Sequence, residues 1–261
     1  MNTHRVLAIA VSTVLALAAR PAFAVDHNNI DAGRPLDFDD AEAIAYREKA
    51  FEFGGALVKP RGGKLGVEGA VEFLYGVAPN THVSLDFDPR YSSEDGEKRR
   101  FDVGDVGIGV FHNFNREYGN TPAFSLRADA YLPTGRGSRG IDFRVRGIAS
   151  RQLRGYNRLH LNLDLGINNG ARGGERKTQP GVLLGYSRPL GYPTRFDRTV
   201  LAQVGYRANE ERGASDVTTL GVGLRQQVSV HSVFDIGLKS DITGGRHHDA
   251  LQLVAGYSTQ F

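Results

Sequence analysis

The sequence of 261 residues contains no cysteine, no tryptophan and a single methionine. Without cysteine, the chain has neither a disulfide framework nor thiolate chemistry. After residue 24 it has no second apolar run of the roughly 20 residues that a membrane helix needs. The net charge is only +3, and it would fall to +1 without Arg5 and Arg20. Charge therefore gives no argument for a nucleic-acid partner.

The first 24 residues have the layout of a secretory signal peptide. Basic Arg5 precedes an apolar run over residues 6–19, and the segment ends in Ala22-Phe23-Ala24. The alternative, a single membrane helix, would need a longer run than the one that Arg20-Pro21 interrupts. We therefore predict export, with cleavage after Ala24.

From about residue 48 onward, apolar and polar residues alternate with a period of two. In "RLHLNLDLGI", residues 158–167, the leucines fall on one face and His160, Asn162 and Asp164 fall on the other. This period is typical of strands with two different faces, and the 33 glycines argue against a helical protein. The predicted strands are 48–58, 63–76, 80–89, 101–115, 121–133, 139–152, 156–168, 177–188, 195–208, 215–229, 231–243 and 248–261.

The connections between these strands alternate between short turns and longer, charged loops. "GVAPN" and "RGYN" are compact, whereas "DPRYSSEDGEKRR" and "NNGARGGERKTQ" are long and charged. This layout, with an even number of strands, predicts an all-β, antiparallel up-and-down barrel of about twelve strands that spans an outer membrane. The competing fold is a secreted β-sandwich, but its exposed final strand "LQLVAGYSTQF" would invite aggregation, whereas a barrel pairs that strand with the first.

Residues 25–47 do not alternate and are rich in acidic side chains. They divide the chain into a signal peptide at 1–24, this segment, and a barrel at 48–261. The segment could be a solvated periplasmic leader, or it could be a plug in the barrel mouth. The sequence leaves both interpretations open.

If the apolar parity faces lipid, the charged parity lines the lumen and any solute pathway through it. An acidic wall is then followed around the barrel by a largely basic wall. These charges could fill and rigidify a closed interior, or they could border a selective conduit. The predicted lumen residues are Glu52, Glu68, Glu72, Asp86, Asp105, Arg127, Asp129, Arg144, Arg146, Asp164, Arg225 and Lys239.

No catalytic constellation is evident, so the sequence does not predict an enzyme. Glu68 and Glu72 share a strand face about 13 Å apart, too far for a glycosidase pair. His247 and His248 are adjacent, so in a strand they would point to opposite faces and chelate poorly. No metal and no organic cofactor are expected.

Two short motifs resemble a known group. Gly104-Asp105 opens a mid-chain strand, and a later strand ends in Leu132-Pro133-Thr134-Gly135. Their order is similar to that of the outer-membrane transporter-like β-barrels of the meta-pathway phenol-degradation family. The ending "GYSTQF", with Gly256, Tyr257 and Phe261, resembles the signal that the outer-membrane assembly machinery reads. The resemblance implies a barrel of the Gram-negative outer membrane. The family name implies uptake of aromatic compounds, but the substrate does not carry over from the family to this chain.

The prediction for function is a porin-like channel that passes small, aromatic or hydrophobic solutes through a charged lumen. Its expected partners are outer-membrane lipid, lipopolysaccharide, the assembly machinery and the solute. The alternative is a structural or surface-interaction barrel with a closed lumen and functional loops.

Overall fold

The computed structural model describes residues 34–92, 100–191, 194, 197–245 and 248–261. The predicted signal peptide lies outside these residues. The described strands are β1 (Lys49–Pro60), β2 (Gly66–Ala78), β3 (Thr81–Phe87), β4 (Arg90–Ser92), β5 (Arg100–Asp102), β6 (Val106–Asn115), β7 (Ala123–Leu132), β8 (Asp142–Gln152), β9 (Arg158–Ile167), β10 (Thr178–Pro189), β11 (Arg198–Arg207), β12 (Val217–Ser229), β13 (Ser232–Asp241) and β14 (Asp249–Gln260). One 3₁₀ turn, Arg154–Tyr156, joins β8 to β9. Across the described ranges, no helix combines the length and the hydropathy needed to cross a membrane.

Twelve of these strands close into one antiparallel barrel. Strand β1 pairs with β14 on one side and with β2 on the other, β3 pairs with β6, and every other step joins consecutive strands. The short strands β4 and β5 stand outside this ring as a hairpin that attaches to β2 at Val67 and Glu68. The predicted up-and-down barrel of about twelve strands is thus confirmed.

The two faces of each strand differ as the alternation predicts. In β9, Leu159, Leu161 and Leu163 are exposed on the outside, whereas His160 and Asn162 are fully buried on the inside. An apolar outer face suits a barrel surrounded by hydrocarbon. Closure of the ring suits the same environment, because it pairs the edge strands, whose backbone groups would otherwise lack hydrogen-bond partners. The polar groups of the wall therefore converge on the lumen.

The last strand closes the barrel. Tyr257 of β14 is opposite Phe53 of β1, and their rings lie 5.4 Å apart on the outer face. Beyond β14, the Phe261 N–H donates to the Lys49 carbonyl at 3.0 Å. On the inner face, Gly256 lies beside the carboxylate of Asp235. The chain therefore ends in the barrel wall.

The two rims of the barrel carry different connections. At the turn rim, the connections are residues 79–80, 116–122, 153–157, 190–197 and 230–231. At the loop rim, they are residues 61–65, 88–105, 133–141, 168–177, 208–216 and 242–248. Strand β1 begins and β14 ends at the turn rim, so the segment that precedes β1 joins it there.

Candidate functional site: the barrel lumen and its inner segment

Residues 34–48, here called the inner segment, run along the inside of the barrel and emerge at the turn rim, where Ala45, Tyr46 and Arg47 are exposed. Leu36, Phe38, Ala41 and Ile44 are all buried, and each packs into a cluster with side chains of the inner wall. The segment passes from strands β12 and β13, across β11 to β6, to strands β3 and β2 near the turn rim. The part of the acidic region that the structure describes thus follows the lumen wall.

Phe38 is the central apolar anchor of the inner segment. Its ring is fully buried and stacks on the imidazole of His160, with the two centroids 5.1 Å apart. Leu183 and Leu201, both inward-facing, pack in the same cluster. The ring lies over Gly185, where an added Cβ would be only 2.6 Å from Phe38 Cδ1. Glycine is therefore required at position 185 for the ring to approach the wall this closely.

A second group of glycines accommodates the start of the inner segment. A Cβ at Gly221 would lie 2.8 Å from Leu36 Cδ2, and a Cβ at Gly237 would lie 2.7 Å from Pro35 Cβ. Gly223, opposite Gly237 on the neighbouring strand, would clash with the same proline ring. These glycines form a shallow groove in the wall that the segment fills.

The backbone of the inner segment is hydrogen-bonded by side chains of the wall. Asn162 accepts from the Asp39 N–H at 2.6 Å and donates to the Asp39 carbonyl at 2.9 Å. The Ala41 N–H donates to Ser150 Oγ at 2.9 Å, and Asn113 donates to the Ala41 carbonyl at 2.6 Å. Buried backbone groups need hydrogen-bond partners, and here short polar side chains of the wall provide them where a neighbouring strand would otherwise do so.

Acidic side chains of the inner segment form ion pairs with basic side chains of the wall. The pairs are Asp37 with Lys239 at 2.5 Å, Asp39 with Arg146 at 2.6 Å, and Glu42 with Arg158 at 2.6 Å. Burial raises the pKa of the Asp37 carboxyl, but Lys239, with Gln203 and Arg146, outweighs this effect and holds the pKa below its ordinary value. The acidic side chains of the inner segment thus lie against the basic side chains of the lumen wall.

The acidic and basic walls touch each other inside the lumen. Arg127 lies 2.9 Å from Glu72 and 2.8 Å from Asp129, and Asp129 also pairs with Arg144 at 3.0 Å. Arg146 pairs with Asp164 at 2.7 Å in addition to its contact with Asp39. The network of ion pairs therefore has two parts that meet on strand β8: one joins β2, β7 and β8 through Arg144, and the other joins β8 and β9 to the inner segment through Arg146.

The remaining predicted lumen residues lie around this network or apart from it. Glu52 is buried directly opposite Glu72, and Asp86 lies opposite Glu72 on its other side. Arg225 is buried opposite Asp235. Glu68 is exposed to the lumen near the loop rim.

Asp105 stands apart from the lumen charges and links the two motifs that carried the family resemblance. Its carboxylate accepts from the Gly135 N–H at 2.8 Å, and Thr134 Oγ donates to the Gly104 carbonyl at 3.1 Å. Thr134 Oγ also accepts from the Val106 N–H at 3.0 Å. The two motifs therefore fasten the start of β6 to the end of β7 at the loop rim.

Several side chains that hold the inner segment carry no signal in the sequence. His82, Ser150 and Asn113 are ordinary inward-facing residues, and Arg158 is the first residue of its strand. Their role follows only from the path of the segment. The one available hint is the repeated glycine on the inward parity, as at Gly185.

Three cavities flank the inner segment in the lumen. Two lie on the side of the loop rim, with volumes of ≈ 330 and ≈ 340 Å³, and Asp37, Arg144, Arg146 and Lys239 border both of them. The third, of ≈ 450 Å³, opens at the turn rim between residues such as Asn80 and Tyr156. We call the ≈ 330 Å³ space the outer acidic cavity, because Glu68, Glu72, Asp86 and Asp88 line it. Within the described parts of the chain, no cluster of three or more His, Asp or Glu side chains is placed to hold a metal ion.

The barrel is similar to solved outer-membrane proteins at low sequence identity. An outer membrane channel from Pseudomonas putida F1 is 13% identical, with a TM-score of 0.68 over 85% of this chain and 98% of that chain. The NanC porin is 11% identical, with a TM-score of 0.61 over 80% of this chain and 98% of that chain. The KdgM porin is 9% identical, with a TM-score of 0.51 over 81% and 99%. These likenesses establish the fold.

A comparison with curated proteins found no match. A family model with the description "Putative MetA-pathway of phenol degradation" matches residues 40–252, which include most of the inner segment and nearly the whole barrel. The match covers more than half of the sequence and agrees with the resemblance that the two loop-rim motifs indicated. The chain belongs to this family of phenol-degradation pathway proteins.

Proposed function

We propose that the protein is an outer-membrane channel for passive passage of small solutes. The observation that carries the proposal is the set of lumen cavities, of ≈ 330, ≈ 340 and ≈ 450 Å³, that flank the inner segment on both sides. Each cavity is lined by charged or amide side chains. A barrel of eight strands is filled by its own side chains, whereas twelve strands leave room for a bordered pathway. The inner segment is then a plug that narrows this pathway.

The same proposal gives the barrel its place and orientation. An apolar outer face on a closed barrel suits the outer membrane, with the turn rim toward the periplasm and the loop rim outside. Residues 1–24 would direct export, and Phe261 with Gly256 and Tyr257 would present the assembly signal. Arginines of the loop rim, such as Arg136, would meet lipopolysaccharide phosphates.

The solute is proposed to be small and polar enough to pass charged walls. The family description refers to phenol degradation, which supports aromatic compounds as the first class to test. The network of Arg127, Asp129 and Arg144 would then set the narrowest part of the path, since these side chains reach across from β7 and β8.

Planar-bilayer recording of the mature chain tests the proposal. We expect discrete conductance steps, and we expect Arg144→Gln to shift ion preference toward cations because Arg144 borders both outer cavities. Arg151→Gln is the matched control, since Arg151 lies on the same strand but bonds at the turn rim to Asn120. A folded barrel that never conducts would refute the channel and favour a closed barrel with functional loops.

A further inference from the structure

The outer acidic cavity is lined by carboxylates that no residue of the described ranges holds in an ion pair. Its lining cations, apart from Arg34, are already in ion pairs at 3.0 Å or less. These cations are Arg127, Arg144, Arg146 and Lys239. The acids that the inner segment contributes, Asp37 and Asp39, are paired as well. Among the acids that the barrel itself contributes, by contrast, Glu72 alone is in an ion pair with a residue that the structure describes. The charge still available to a solute in this cavity is therefore negative.

Three acidic side chains, one of them the paired Glu72, are built into this side of the barrel in a fixed row. Glu52, Glu72 and Asp86 are directly opposite one another on strands β1, β2 and β3. Like charges at opposed positions are destabilising, and among the described residues only the central member, Glu72, has a cation in an ion pair, Arg127. Glu52 is only 8% exposed, and its Oε2 has no hydrogen-bond partner among the described residues. The Oδ1 atom of Asp86 is buried without a partner in the same way.

Arg34 of the inner segment shows which kind of cation this wall admits. Its guanidinium lies beside Gly54, where an added Cβ would be 3.0 Å from Nη1. That nitrogen is buried without a hydrogen-bond partner, and Arg34 forms no ion pair within the described ranges. Burial raises the pKa of Asp88 above its ordinary value, and the nearby Arg34 opposes the shift without cancelling it. One guanidinium thus faces several carboxylates and forms an ion pair with none of them among the described residues.

We propose that the outer acidic cavity binds small organic cations that carry an ammonium or guanidinium group, and that the channel prefers such solutes. The carboxylates of Asp86, Asp88 and Glu68, which form no ion pair with a described residue, supply the acceptors, and Arg34 occupies part of the site as a tethered competitor. A volume of ≈ 330 Å³ is that of about ten water molecules at ~30 Å³ each, enough for an amine or guanidine with a short side chain. This inference rests on the proposed channel function and names its class of solute.

The test uses the mature chain in planar bilayers, with methylguanidinium chloride as the probe. We expect the wild type to prefer potassium over chloride and to show block by millimolar methylguanidinium. The double variant Glu68→Gln/Asp88→Asn should lose the preference and weaken the block by about tenfold, since each charge pair in a solvated site contributes a factor of roughly three. Arg34→Gln should strengthen the block, because it removes the competitor. Glu211→Gln, which removes an exposed carboxylate of the loop rim that lines none of the three cavities, is the control and should change neither.

The outcomes separate this inference from the channel proposal. A conducting barrel that prefers anions, or a double variant that behaves like the wild type, would overturn the cation site and leave the channel intact. A barrel that does not conduct would overturn the channel. Calorimetric titration of the detergent-solubilised protein with methylguanidinium would then test the cation site separately. Binding that the double variant loses would support the site, and absence of binding would overturn it. Heat-modifiable gel migration shows whether each variant has folded.

Discussion

Replacing Gly185 by alanine should release the inner segment from the wall while the barrel stays closed. The new Cβ would lie 2.6 Å from Phe38 Cδ1 and closer to two other ring atoms. Because carbon atoms prefer separations of about 3.5–4.0 Å, the ring must move by about 1 Å. Strand β10 is held by ladders to β9 and β11 on both sides, so the inner segment has to yield.

The size of the effect follows from the packing of Phe38. Overpacking a well-filled site costs about 1–3 kcal/mol, and the stacking of Phe38 on His160 leaves the ring no free side. A cost of about 2 kcal/mol corresponds to a roughly 30-fold rise in the population of the undocked segment. The barrel itself should lose little stability, because alanine fits the wall once the ring has left.

Because the chain contains no cysteine, a single introduced thiol can be labelled without background from other residues. Ala41→Cys places one thiol at a fully buried position of the inner segment, and its maleimide labelling rate reports undocking. We expect labelling to be about 30-fold faster when Gly185→Ala is added. Gly166→Ala is the matched control, since it is a lumen-facing glycine of the neighbouring strand whose added Cβ would make an ordinary 3.5 Å contact with Gln179.

An unchanged labelling rate in Gly185→Ala would refute the reasoning. It would mean that the ring does not rest on the wall at position 185. Equal acceleration by Gly166→Ala would also refute it, because the effect would then come from general loss of strand glycine. Loss of heat-modifiable migration would show instead that β10, and not the inner segment, had yielded.

Two further predictions follow from the ion pairs of the lumen. Arg127→Gln should destabilise the barrel by about 3–5 kcal/mol, because Glu72 and Asp129 would be left buried without their shared partner. The loss should appear as a lower midpoint of denaturant unfolding, and an unchanged midpoint would contradict the ion-pair network. Asp37 has a lowered pKa, so its pair with Lys239 stabilises docking above about pH 4 and is lost as pH falls further. Hydrogen exchange of the inner segment, corrected for intrinsic rates, should therefore accelerate on acidification, and Asp37→Asn should lack that component.

Much of the fold was accessible from the sequence because alternation is a local property. The period of two in β9 identifies the strand, its two faces and its length without any knowledge of its neighbours. The short strand β4 was missed, since it falls in the charged stretch that reads as a loop, and most of β5 was merged into the predicted strand 101–115.

The lumen contacts were accessible only in part. Arg146 pairs with Asp164 directly across from it on the adjacent strand, so register alone suggests that pair. Arg127 instead reaches Glu72 across the lumen, past two intervening strands, and no local pattern encodes this contact. The site of the inner segment was equally hidden, because its backbone is held by scattered side chains and not by a ladder.

The glycines of the wall that contact the inner segment, Gly185 among them, make two distant parts of the sequence depend on each other. A relative that carries a larger residue at the position of Gly185 has no space for an aromatic ring at the position of Phe38, and the same exclusion links Gly221 to Leu36. These pairs should therefore change together among homologues, although about 150 to 185 residues separate them in the chain. The inner segment and the wall of β10 to β13 are then inherited as one unit, and a segment exchanged between relatives should dock only when its glycines are exchanged with it.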